Sequence, residues 1–141
     1  MSYNPTNIKS ALKTLLTNVT GIANVYDKYK TNVDGFPAIV FAQTNDVSEM
    51  LDDTHNIHDV TYTAEIWVET TVEGLDGADA LLDTAVNNVI SAIELKTNAS
   101  LSGNVDWIIP TSGRSQQMET AQGVACMKEV IIRCKIATSI L

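Results

Sequence analysis

Positive charge is missing from the whole middle of this 141-residue chain: no Lys or Arg occurs between Thr31 and Leu95. Thirteen of the seventeen acids lie in that stretch, from Asp34 to Glu94, while all nine basic residues sit in the flanks beside Asp27, Asp106, Glu119 and Glu129. The middle therefore carries −13 and the two flanks together +5, for a net charge of −8. Such a balance argues against a groove that grips nucleic acid, because that affinity comes mainly from Lys and Arg neutralising phosphates. Two readings of the asymmetry stay open. Unlike patches of neighbouring copies can meet head to tail, or a solvated acidic face can simply maintain solubility.

Other absences narrow the class further. The longest apolar run, Ala38 to Ala42, is far too short to span a bilayer, and Met1-Ser2-Tyr3-Asn4-Pro5 shows no basic stretch leading into an apolar one, so neither export nor membrane anchoring is expected. The sequons at Asn18 and Asn98 then read as chance matches. The only two cysteines, Cys126 and Cys134, fall on one expected strand about 25 Å apart, too far to bridge each other, and read as reduced core side chains. No Gly-x-Ser-x-Gly elbow occurs, and Gly74 and Gly77 lack the further glycine and the Lys of a phosphate loop.

What is present is a globular balance: 45% hydrophobic and 18% charged residues, with seven Gly and three Pro. The length suits a single domain over residues 1–141. Asn4 before Pro5 is a helix start, and Ile8, Leu12, Leu15, Leu16 and Val19 recur at helical spacing, which predicts a helix from 5 to about 18 ending near Gly21. A short strand follows over Ile22 to Tyr29, then a turn at Asp34-Gly35-Phe36-Pro37 and a buried strand over Ala38 to Ala42. Asn45 to His58 is polar and acidic, either a long hairpin arm or a mobile loop. From Asp59 to Thr70 the alternation is clean, with Val60, Tyr62, Ala64, Ile66 and Val68 on one face.

A second helix is expected from about Asp76, with a stripe of Leu81, Leu82, Ala85, Val86, Val89, Ile90 and Ile93. A strand over Val105 to Ile109 stops at Pro110, a polar loop carrying Arg114 runs from Thr111 to Gly123, and the last strand turns Val124, Cys126, Val130, Ile132, Cys134 and Ile136 to one face. The fold class is therefore α+β: two helices packed on one largely antiparallel sheet of four to five strands, in the order α-β-β-β-α-β-β.

No constellation of catalytic residues emerges, and no enzyme activity, metal or cofactor is expected. His55 and His58, near Asp52, Asp53 and Asp59, are the one metal-like cluster, but in a segment leading into a strand their spacing sends them to opposite faces. Glu65 and Glu69 share a strand face about 13 Å apart, too far for either usual glycosidase geometry. Between them Trp67 stands on an otherwise polar face, where it either packs locally or meets a neighbouring subunit.

The element order, with Asp34-Gly35-Phe36-Pro37-Ala38-Ile39-Val40, the alternating strand Tyr62 to Val68 and the helix after Gly77, resembles the tail terminator or tail completion proteins of long-tailed bacteriophages across nearly the whole chain. The resemblance implies a subunit made in the host cytoplasm and built into the virion. It would form a homo-oligomeric ring, usually hexameric, that caps the tail tube and docks onto the head connector. DNA would pass through without tight binding, repelled by an acidic lining. Neighbouring neck and tail-tube proteins share the architecture, and a small acidic regulatory or decoy domain that occupies a basic protein is the competing reading. The residues expected at a subunit or partner interface are Asp46, Glu49, Met50, Leu51, Asp52, Asp53, Trp67 and Arg114.

With so few apolar groups to bury, Asn45 to Asp59 is expected to exchange its amides fast in the free subunit and slowly once docked through Met50 and Leu51. Hydrogen exchange on both states checks this, and equal protection in the two would mark the segment as ordinary fixed structure.

Overall fold

Helix α1 spans Pro5–Thr17, and its start is the one the sequence encodes: the Asn4 side chain accepts from the Asn7 amide at 3.1 Å, with Pro5 in the first turn. The computed structural model describes residues 3–28, 35–70, 75–120 and 123–139. Strand β1 is Asn24–Tyr26, β2 Ala38–Met50 and β3 His55–Thr70; helix α2 is Leu75–Glu94, followed by a 3-10 turn at Lys96–Asn98, then β4 Trp107–Thr120 and β5 Gly123–Ser139. The first strand is shorter than expected, and Tyr29, Asp34 and Gly74 lie outside the described residues. At the turn before β2, Gly35 has φ +72° with the Asn24 side chain packed against it, so a Cβ there meets both backbone strain and a clash.

The five strands form one mixed sheet in the order β1-β2-β3-β5-β4; β1 runs parallel to β2 and every other pairing is antiparallel. The architecture is the expected α+β arrangement of two helices and one sheet. Both helices lie on the same face. From α1, Ile8, Leu12 and Leu16 join one core with Ile39 and Phe41 of β2, Val60, Tyr62, Ala64, Ile66 and Val68 of β3, and Cys126, Val130, Ile132, Cys134 and Ile136 of β5. Each large aliphatic side chain fully buried there contributes about 1.5–3 kcal/mol. The α2 stripe is Ala78, Leu82, Ala85, Val86, Val89 and Ile93; Leu81, expected within it, is 48% exposed because it lies a 100° step to the side of Leu82.

One open alternative is resolved and one expectation changes. The segment Asn45 to His58 is a hairpin arm, since β2 continues to Met50 and pairs with β3 as far as Met50↔Asn56. The polar loop expected over Thr111 to Gly123 is instead strand as far as Thr120, because β4 runs straight through Pro110, and β5 begins at Gly123. Proline is tolerated there because β4 is the outermost strand, where a missing N–H breaks no ladder bond on the open side. The β4–β5 register shifts between Ser112 and Ser115, which leaves Gly113 and Arg114 as the irregularity opposite Glu129.

A second bulge, between Gln43 and Asn45, decides which residues of the arm face which way. Before it Ile39, Phe41 and Gln43 pair with Ile66, Ala64 and Tyr62 on the helix side. After it Asp46, Ser48 and Met50 take that side opposite Val60, His58 and Asn56, and Val47 and Glu49 point to the other. Beyond Ala42 the arm is three-stranded, with β2, β3 and the end of β5 from Arg133 to Ser139. The edge of β5 past the start of β4 is occupied by Asp106, whose carboxylate accepts the Ala137 amide at 2.5 Å.

Two glycines give opposite expectations. A Cβ on Gly77, in the first turn of α2, meets nothing within 4 Å, so G77A should stabilise the protein by about 0.5–1 kcal/mol. A Cβ on Gly113 comes within 2.9 Å of the Glu129 Cβ and 3.3 Å of Ile131 Cδ1, so G113A should destabilise by about 1–3 kcal/mol. Urea unfolding of both variants measures the signs.

Candidate functional site

Two acceptors, the Asp52 carboxylate and the His55 carbonyl, hold the tip of the arm. Asp52 Oδ1 takes the Thr54 amide at 2.7 Å and the Thr54 hydroxyl at 2.8 Å, while the Leu51 and Asp52 amides reach back to the His55 carbonyl at 3.0 and 3.3 Å. The Thr54 backbone amide, then its hydroxyl, hold the Asp52 carboxyl below the usual carboxylate range, helped by His55. Around this turn Met50 is 70% and Leu51 55% exposed, with Glu49, Asp52 and Asp53 also at the surface. Six of the sequence-named interface residues, Asp46, Glu49, Met50, Leu51, Asp52 and Asp53, are thus brought together at one end of the molecule.

Sequence reasoning missed how the arm is anchored. Tyr3, just before α1, stacks on His58 with ring centroids 4.2 Å apart and 10° between planes, and its hydroxyl donates to Asp46 Oδ2 at 3.0 Å. Burial first, then the hydrogen bond and charge of Asp46, push the Tyr3 hydroxyl up to about 12. Ser48 Oγ lies 2.7 Å from His58 Nδ1 as its register partner across the strands. This hydroxyl and imidazole serve as a clamp, with the ring held under Tyr3. No periodic pattern marks Tyr3 or Ser48; the one available signal was an aromatic just outside the first helix.

Trp67 and Arg114 do not join the tip. Trp67 stands at the other end of β3, about 40 Å from His55 along the strand. It lies on the sheet face away from the helices, between buried Ala38 and Met127, and its indole N–H donates to Glu65 Oε1 at 3.3 Å. Glu65 in turn faces Glu129 directly across the β3–β5 ladder, a like-charge pair that destabilises unless relieved. Arg114 relieves it from the bulge of β4, with its Nε 2.6 Å from Glu129 Oε1. The Arg114 side chain is 68% exposed, so this ion pair is worth at most about 1 kcal/mol.

The fold also rearranges the charge split read from the sequence. Because β5 is inserted beside β3, basic residues of the carboxyl flank meet acids of the middle: Arg133 Nη2 is 2.6 Å from Asp59 Oδ2. Exposed acid is left in two separate places, the arm tip and, toward the opposite end of the sheet beside Cys126, Asp79 and Asp83 of α2; Lys9, Lys13 and Lys28 form a basic region around α1 and the end of β1.

His55 and His58 fall on opposite faces of β3, as strand alternation requires, and no group of three or more metal-capable side chains occurs among the described residues. Cys126 and Cys134 are free and buried, and burial, with the Asp59 charge second, pushes the Cys134 thiol up to about 12, the reverse of what a reactive thiolate needs. Among the described residues, no helix is long and apolar enough to cross a membrane.

No protein-family model matches the chain, and no curated protein sequence matches it. Its fold is similar to that of a chain from the virion of a native gene transfer agent particle, with a TM-score of 0.50, 11% sequence identity, and coverage of 92% of this chain and 94% of that one.

The Tyr3 contact has a pH signature. A hydroxyl raised from 10.0 to about 12 on folding gives stability that is fully present below pH 10 and is lost as pH climbs through about 12. Y3F should be about 0.5–1 kcal/mol less stable than wild type at neutral pH, through loss of the bond to Asp46, and the gap should close between about pH 10 and 12. Urea unfolding across that range measures it, and a gap constant with pH would mean that the hydroxyl carries no such linkage.

Proposed function

We propose that this protein is a structural, non-catalytic virion subunit that forms a tail-terminator-type ring, capping the tail tube and joining it to the head connector. The observation that carries this reading is the whole-chain likeness of fold to a chain of a virion particle. The arm supports it in chemical terms. A three-stranded projection whose tip exposes Met50 and Leu51 among acids costs a free monomer apolar surface in water and offers a partner an anchor. The unlike charged regions at the tip and around α1 suit contact between copies, with opposite patches of successive subunits facing each other.

In such a ring the surplus acid has a second use. Carboxylates facing a channel repel phosphates and let DNA pass without sticking. Asp52 and Asp53 are the residues on which this can be tested without disturbing the fold, because an amide at 52 keeps the oxygen that accepts from Thr54.

Light scattering over a range of concentrations, alone and with tail tubes, tests the ring; a strict monomer in every condition rejects it. The double variant D52N/D53N should stay folded, with at most a small loss of stability from weakening the charge-assisted bonds to Thr54. If the two acids line the channel, it should assemble and retain DNA in a salt-sensitive way; if they meet a basic partner, assembly should be weaker than wild type at low salt, with the difference shrinking as salt is added. A variant that matches wild type in assembly and DNA retention removes these two residues from the function.

A further inference from the structure

Beside the amino-terminal end of α1, where β1 has stopped and β2 runs on, the surface opens into a cleft of about 300 Å³. Pro5, Ala42 and Tyr62 give it apolar walls, and Lys9 and Lys28 line it with positive charge. Asp27 also lines it, but its carboxylate is engaged by Lys13 at 3.9 Å. The first turn of α1 adds the positive end of the helix dipole at the same place.

The complement to this cleft is on the same chain but out of its reach. Met50 and Leu51 are the exposed apolar side chains of the arm tip, flanked by Glu49, Asp52 and Asp53. A cavity of about 150 Å³ accepts a benzene-sized apolar group, so the cleft has room for one such side chain. Ala42 stands at the root of the arm and Met50 at its tip, about 26 Å apart along β2, so tip and cleft can meet only between different copies. A contact between two different patches is heterologous, the kind that closes a ring when the rotation between copies allows.

We propose that the β2–β3 hairpin tip of one copy seats Met50 or Leu51 in the Lys9–Lys28 cleft of the next, with Glu49 and Asp53 facing the two lysines. This rests on the ring reading above and names the contact that makes the ring. The apolar anchor supplies the burial, and the charges set direction, since tip on tip and cleft on cleft both bring like charges together.

Charge reversal with mixing is the test. One variant carries K9E/K28E and the other E49K/D53K; Asp52 is left alone because it holds the turn. Neither should assemble by itself where wild type does, because each then presents a tip and a cleft of the same sign. An equimolar mixture should recover the wild-type size as an alternating ring, because each tip then finds an opposite cleft. Circular dichroism and melting identify any variant that fails to fold. As a readout independent of charge, K28C/L51C should give a reducible ladder of cross-linked copies under oxidation, since the native Cys126 and Cys134 are buried. Either single variant assembling like wild type, a mixture of folded variants that fails to recover, or assembled K28C/L51C that shows no ladder, overturns this contact and leaves the ring reading standing. Wild-type protein that is monomeric under all conditions, tail tubes included, removes the ring reading and the contact with it.

Discussion

The ladder between β3 and β5 runs without a register shift from His55↔Ser139 to Thr70↔Val124, and the other elements are placed by it. It supplies two of the inner strands of the sheet, α2 packs over it, and β2 and β4 are added to its two sides. Because the ladder extends past the helices at one end, it also carries the arm. Both irregularities of the sheet lie in the outer pairings, one in β2 after Gln43 and one in β4 after Ser112, where the chain can bend without breaking the center.

That arrangement explains how a strongly acidic middle segment folds at all. Placing β5 beside β3 pairs Arg133 with Asp59, and the bulge of β4 brings Arg114 to Glu129 where Glu129 faces Glu65. The carboxylates of the sheet face are thereby balanced by the carboxyl-terminal flank, far away in sequence. Those of the tip have no Lys or Arg of their own segment to meet. Among the described residues the tip acids have His55, 3.4 Å from Asp52, as their basic neighbour, while around α1 Lys13 pairs with Asp27 and Lys9 and Lys28 stand nearby.

Much of the fold was legible because burial imposes a period. The five alternating residues from Val60 to Val68 are all buried, Ile8, Leu12 and Leu16 form the inner stripe of α1, and the cap at Asn4 is as the sequence implies. What was not legible lies where burial is one-sided or absent. The outer half of β2 is exposed at every position from Gln43 to Met50, so no alternation marks it as strand. Pro110 reads as a stop only if a strand is assumed to have neighbours on both sides. At the candidate site, composition alone located the acidic tip, with Met50 and Leu51. The Tyr3 clamp and the relief of Glu65 and Glu129 by Arg114 depend on pairings between residues distant in the chain, which no local pattern records.

The two margins of the sheet are unequal. On the β4 side the proline, the bulge and the Asp106 carboxylate on the Ala137 amide all interrupt the row of free backbone groups that another strand would need. On the β2 side, past the end of β1, the Asn45 side chain takes the Asp46 amide at 3.0 Å beside the bulge, and no proline or further register shift interrupts β2 from there to Met50. The two margins thus differ in where a further strand would be interrupted: along the length of β4 on one side, and at the root of the arm, around Asn45, on the other.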